Sequence, residues 1–167
     1  MVQVKDNFPK GLGLMSFSNV TDENTSSCAL PKQIPSDDFC RGKVVLFAIP
    51  AAFTPTCQNK HIPGFLEHYD AIKAKGVDKI ACIANDSHFV MFAFGRQLGC
   101  GDKILMLGDN NGILNDALPD LNQDLSSNSL GSKRLKRFAM IINEGVIEYI
   151  GIGGLDVSGA EAVLAKL

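Results

Sequence analysis

The chain has 167 residues, 46% of them apolar and 20% charged, with a formal net charge of −2 at pH 7. This balance excludes general disorder and a broad basic field for nucleic acid. No apolar run approaches the roughly 18 residues that a membrane-spanning helix needs. The length favours one domain over residues 1–167, able to bury roughly 70% of its extended surface.

Residues 1–42 are rich in turns, punctuated by Pro9, Gly11 and Gly13, and the polar stretch 19–27 reads as a hairpin tip or exposed loop. Ser36, Asp37 and Asp38 cap a short helical turn before Gly42. Residues 44–49 form a continuous, β-branched apolar run, the pattern of a strand buried on both faces. A proline-rich loop over 50–56 then delivers Cys57. Behind it Ile62, Phe65, Leu66, Tyr69 and Ile72 recur at helical spacing, and Gly76 stops that helix with Lys73 and Lys75 at its negative end.

Residues 79–84 read as the next buried strand. Asn85, Asp86 and Ser87 cap a helix that carries Phe89, Val90, Phe92, Ala93 and Phe94 and stops near Gly99. Residues 103–107 read as a third strand, and Asn110, Asn111 and Gly112 turn into a short helix that ends by Pro119. Residues 121–132 read as a loop. Residues 137–142 and 146–152 flank Asn143, Glu144 and Gly145 as a hairpin. Ser158-x-x-Glu161 has the form of a capping box and opens a terminal helix. The order predicts an α/β fold, a central mixed sheet flanked by helices.

The five cysteines, Cys28, Cys40, Cys57, Cys82 and Cys100, are odd in number, irregularly spaced and free of C-x-x-C. Neither a secreted disulfide framework nor a paired-cysteine zinc site fits this pattern, and a reducing compartment with one special thiol fits better. The start of the chain has no apolar signal segment. The expected location is the cytoplasm, or a mitochondrion or plastid where a transit peptide has been removed.

Cys57 is the strongest candidate for chemistry. It sits where a buried strand hands over to a helix N-terminus, whose unpaired N–H groups and dipole stabilise a thiolate. The bland alternative is a buried cysteine used as a small hydrophobe. Thr54 has a hydroxyl that donates and accepts; as a loop or cap residue it would need no further role. Pro50 ends the strand; alone it would be read as a strand terminator, and its functional reading is a pocket wall that adds no donor. Arg137, at the start of a predicted central strand, is placed to reach Cys57. Lys133, Arg134 and Lys136 read as solvated surface charges. His61, four residues after Cys57, reads as structural, with a Cys–His pair or a metal ligand as alternatives.

The run Pro50-Ala-Ala-Phe-Thr54-Pro-Thr-Cys57 resembles the P-x-x-x-T-x-x-C motif of peroxiredoxins. The wider run FTPTCQNKHIPGF, with KAKGV, Asn85-Asp86 and SKRLKRFAMII, resembles their peroxiredoxin 5 (type II) subfamily, from about Val4 to the end of the chain. Ala51 stands where that subfamily usually has Gly. The resemblance implies a thioredoxin-like fold with an N-terminal hairpin extension and no metal or other cofactor. Cys57 then takes the place of the peroxidatic cysteine. Thr54, Pro50 and Arg137 take those of its partners, and the backbone N–H groups of Thr56 and Cys57 bind the substrate.

The implied function is reduction of hydrogen peroxide and organic hydroperoxides through a sulfenic acid, in antioxidant defence and redox homeostasis. The resolving cysteine that some members carry near the C-terminus has no counterpart after Cys100. A one-cysteine cycle is therefore expected, with glutathione and glutaredoxin, or thioredoxin, as reductant. Cys82 reads as buried, and Cys100, between two glycines, as an exposed loop thiol. A homodimer through the loop face is expected, with Phe53 and the 89–94 aromatics as candidate contacts; a core role for the latter is the alternative. A monothiol disulfide reductase and a redox sensor are the competing readings.

Overall fold

The computed structural model describes residues 1–17 and 31–167. The polar stretch 19–27 and Cys28 lie outside the described residues. The buried run becomes β3 (Lys43–Ala48), which pairs in parallel with β4 (Lys79–Ala84) and antiparallel with β8 (Phe138–Asn143). β5 (Leu105–Gly108) extends the parallel side and β9 (Val146–Ile152) the antiparallel side. The hairpin of β1 (Gly13–Phe17) and β2 (Pro31–Pro35) closes the far edge against β5. Among the described residues the sheet order is β2-β1-β5-β4-β3-β8-β9.

Alternation along β3 divides the core. Val45, Phe47 and Ile49 face one layer, with Ile62, Phe65, Ile72, Met91, Phe94 and Val163. Val44, Leu46 and Ala48 face the other, with Phe39, Leu114, Leu121 and Leu135. Side chains of successive strand residues point to opposite faces, so a strand covered on both sides must be apolar throughout. The first layer contains α2 (Ile62–Glu67), α3 (Tyr69–Ala74), α4 (His88–Gln97) and α7 (Ala160–Leu164); the second contains α1 (Ser36–Phe39) and α5 (Ile113–Ala117). The fold is thioredoxin-like, with the mixed sheet and the N-terminal hairpin in place.

Several boundaries differ from the sequence reading. The third strand starts at Leu105 because Lys103 is held in a turn, its N–H donating to the Cys100 carbonyl at 2.9 Å. Within 121–132, two residues form a short strand, β6 (Asn122–Gln123), which pairs with β7 (Arg134–Leu135). Ser158 caps nothing. It is the last residue of α6 (Leu155–Ser158), and its hydroxyl donates to the carbonyls of Gly153 and Gly154. Gly159 interrupts with an extended backbone before α7 begins.

Candidate active site

The single helix predicted after Cys57 is three pieces: a π-helical turn over Cys57–His61, then α2, then α3. Pro63 has no N–H to give the fourth residue back. The Ile62 N–H bonds instead to Cys57 O, five residues back, which is the π spacing. The chain enters this helix at Pro55, immediately after Thr54, whose carbonyl accepts from Gln58 N–H at 2.9 Å. Proline suits a first helical position because its missing N–H would have been unpaired there. The N–H groups that follow it belong to Thr56 and Cys57, the positions where a helix leaves amides without an internal acceptor.

Cys57 itself is 0% exposed. The covering loop is fixed at three points. Thr54 Oγ1 donates to Ala51 O at 3.0 Å, Ala52 N–H donates to Asp86 Oδ2 at 2.7 Å, and the Phe53 ring packs on Phe94 with centroids 4.7 Å apart. Phe53 has φ of +60°, a left-handed conformation that costs a bulky residue about 1–2 kcal/mol. The Asp86 clamp is itself secured, since Asp86 Oδ1 pairs with Arg134 at 2.9 Å. Arg134 is therefore no solvated surface charge: its side chain is 16% exposed and its Nε also donates to Leu130 O. Nor does Asp86 cap α4. Ser87 alone does so, accepting from Val90 N–H, while Asn85 turns inward to Asp109 O and Asn115 Oδ1 and accepts from Leu135 N–H at 2.6 Å. These bonds hold β7, and with it the approach to Arg137, against the end of β4.

Arg137 directly precedes β8, one strand over from β3. Its Nη2 donates to Cys57 Sγ at 3.3 Å and its Nη1 contacts His61 Nδ1 at 2.8 Å. The other His61 nitrogen, Nε2, lies 2.8 Å from Ser158 O. A carbonyl only accepts, so Nε2 carries the proton and Nδ1 is the acceptor for Arg137. The sequence reading left His61 as structural, yet it touches the residue that touches the thiol. Its i+4 spacing from Cys57 on one helical face was the available signal. With both ring nitrogens engaged, neither is open to a metal. Among the described residues no group of three or more His, Cys, Asp or Glu side chains is placed to hold one.

Burial pushes the His61 pKa down to about 4; the Ser158 hydrogen bond opposes that shift and Arg137 adds to it. An unfolded chain would protonate this ring near 6.5, before the folded one does. The His61 contribution to stability is therefore complete above pH 6.5, falls as pH drops towards 4, and levels off below. The window corresponds to about 3 kcal/mol. Urea unfolding at pH 7 and pH 4.5 should show wild type losing about 2 kcal/mol more than His61→Gln. Equal losses would contradict this assignment.

The remaining described cysteines are covered. Cys40, Cys82 and Cys100 are 6%, 0% and 1% exposed, so Cys100 is not the exposed thiol its glycine neighbours suggested. The turn after α4 folds it inward, with Cys100 N–H donating to Gly95 O at 2.9 Å. Burial pushes the Cys40 and Cys100 thiols up to about 12 and the Cys82 thiol upward as well.

One buried cysteine at a helix N-terminus, with a guanidinium on its sulfur and a thioredoxin-like sheet beneath, is the arrangement expected of thiol-based redox proteins. The Redoxin family model matches residues 3–164. Peroxiredoxin-2E-2, chloroplastic, of Oryza sativa subsp. japonica is 43% identical over 130 residues, 75% of this chain and 57% of the relative, so the chain spans little more than half of that protein's length. Reduced Prx3 of Vibrio vulnificus, solved in complex with H2O2, superposes with a TM-score of 0.84 at 35% identity, over 99% of this chain and 98% of that one. Peroxiredoxin 5 of Alvinella pompejana gives 0.79 at 34%, over 99% and 97%. The chain belongs to the Redoxin family, among the peroxiredoxins of the type II, peroxiredoxin 5-like group.

Proposed function

We propose that this chain is a thiol-dependent peroxidase that reduces hydrogen peroxide and small organic hydroperoxides at Cys57. The observation that carries this reading is the 3.3 Å contact between Arg137 Nη2 and Cys57 Sγ at the open end of a helix. The Vibrio relative with bound H2O2 supports peroxide as the substrate. The Cys57 thiolate attacks one peroxide oxygen, an S–O bond forms, and the O–O bond breaks. The leaving oxygen takes a proton and departs as water or an alcohol, and Cys57 becomes a sulfenic acid. Arg137 and the N–H groups of Thr56 and Cys57 are the donors for the developing charge; the Thr54 hydroxyl, its one proton on Ala51 O, orients the peroxide by accepting from its O–H. Pro50 and the covering loop keep bulk water away.

We further propose a one-cysteine cycle. A thiol attacks the sulfenic sulfur, releasing water and leaving a mixed disulfide. A second thiol frees Cys57 and leaves as the oxidised reductant. What supports this is the burial of Cys40, Cys82 and Cys100, each held as a protonated thiol. The reductant is glutathione with glutaredoxin, or thioredoxin, in a reducing compartment, whether cytosol or organelle. A homodimer through the loop face, where Phe53 is 45% and Val90 38% exposed, completes the proposal.

The test is steady-state peroxide consumption with each reductant, for wild type and for Cys28→Ser, Cys40→Ser, Cys82→Ser and Cys100→Ser. Each single variant should stay within about twofold of wild type, as expected of residues outside the reaction. Loss of turnover in any one of them, with Cys57 intact, would overturn the one-cysteine cycle. A single oxidation without sustained turnover under either reductant would instead favour a redox sensor.

A further inference from the structure

We propose that His61 is a positioning residue whose Nδ1 lone pair holds one terminal nitrogen of Arg137 so that the other meets Cys57 Sγ. The inference rests on the peroxidase reading of those two residues and adds a third to them. A guanidinium presents its N–H groups in a rigid fork, so fixing one arm fixes the direction of the other. Arg137 is only half-buried, and an arginine side chain in contact with solvent has several rotamers to lose. The acceptor at Nδ1, 2.8 Å from Nη1, selects one of them.

His61 is suited to this because its own freedom is removed. The residue is 1% exposed. Its ring packs against the stacked pair of Phe47 of β3 and Phe65 of α2, at centroid distances of 5.0 and 5.7 Å. Nε2 donates to Ser158 O, which forces the acceptor form at Nδ1. Ser158 is in turn fixed through its hydroxyl on Gly153 O, and Gly153 N–H donates to Arg137 O at 2.9 Å. The bonds close a circuit: Arg137 backbone, Gly153, Ser158, His61 and Arg137 side chain. Every link but the last lies within the fold, and the last points the guanidinium at the sulfur. With both nitrogens occupied, His61 moves no proton in the reaction, and its contribution is geometric.

Two substitutions separate the two ring nitrogens. His61→Gln places an amide where Nε2 was, keeping the donor to Ser158 and losing the acceptor for Arg137. His61→Asn places its oxygen where Nδ1 was, keeping the acceptor and losing the tie to Ser158. The readouts are the pH profile of Cys57 alkylation by iodoacetamide, followed by mass spectrometry of the Cys57 peptide, and the second-order rate with hydrogen peroxide.

In H61Q the alkylation profile should move to higher pH and the peroxide rate should fall about tenfold. H61N should recover most of that loss. H61F keeps the ring packing without either nitrogen; it should behave as H61Q does and replaces it if H61Q does not fold. A folded H61Q or H61F with the wild-type profile and rate would overturn the proposal, as would equal losses in H61Q and H61N. If wild type consumed no peroxide but the alkylation profile still moved in H61Q, the positioning role would stand and the peroxidase reading would fall.

Discussion

Cys57→Ser should eliminate peroxide turnover, with a loss on the order of a thousandfold or more, because a serine hydroxyl does not ionise at neutral pH to supply the nucleophile. The exchange of sulfur for oxygen fits the covered site, and Arg137 remains available as a donor to the new oxygen. Thermal unfolding should therefore change by no more than about 1 kcal/mol. Peroxide consumption with saturating thiol reductant is the measurement. Residual turnover within tenfold of wild type would place the chemistry on another cysteine, and all of the peroxidase reading would go with it.

Arg137→Met should lower the peroxide rate by about two to three orders of magnitude, the range for removing a donor aimed at developing charge. Methionine preserves much of the aliphatic packing while leaving both Sγ and His61 Nδ1 without their guanidinium partner. The unpaired Nδ1, buried with its ring, adds a stability loss of about 1–3 kcal/mol. Arg137→Lys should fall between, because one ammonium does not reproduce a two-armed fork. Stopped-flow oxidation of Cys57 measures the rate without the reductant step. A rate for Arg137→Met within threefold of wild type would remove the guanidinium from the mechanism.

Much of the frame was legible from residue pattern. Residues 44–49 and 79–84 are apolar throughout because both sheet faces are covered, and such runs read as buried strands wherever their flanks turn. The hairpin about Glu144 and Gly145 was equally plain. Three misreadings, at Asn85, Asp86 and Ser158, share a cause, which is that short polar side chains were assigned to their local backbone. Asp86 and Asn85 looked like helix caps, but tertiary partners 30 to 50 residues away claim them. Ser158 looked like the start of a capping box, but the glycines before it offered nearer carbonyls.

Arg134 illustrates the same limit for charge. In a run with Lys133, Lys136 and Arg137 its solvation was the ordinary expectation, and only the docking of β7 beside Asp86 withdraws it from water. Arg137 was singled out by its likeness to a family pattern and by a predicted place on a central strand, not by local composition. His61 carried the right spacing, but its tautomer depends on Ser158, 97 residues away. No local rule supplies that distance.

The antiparallel pairing of β3 with β8 has a bearing on how the protein is made. Cys57 leaves the ribosome 80 residues ahead of Arg137, an interval of about 4–16 s at ordinary rates of translation. During that interval the nascent chain has a plain thiol with no guanidinium beside it. On the peroxidase reading, oxidant sensitivity at Cys57 should therefore rise only after β8 docks, and a half-made chain should react with peroxide as slowly as an ordinary thiol.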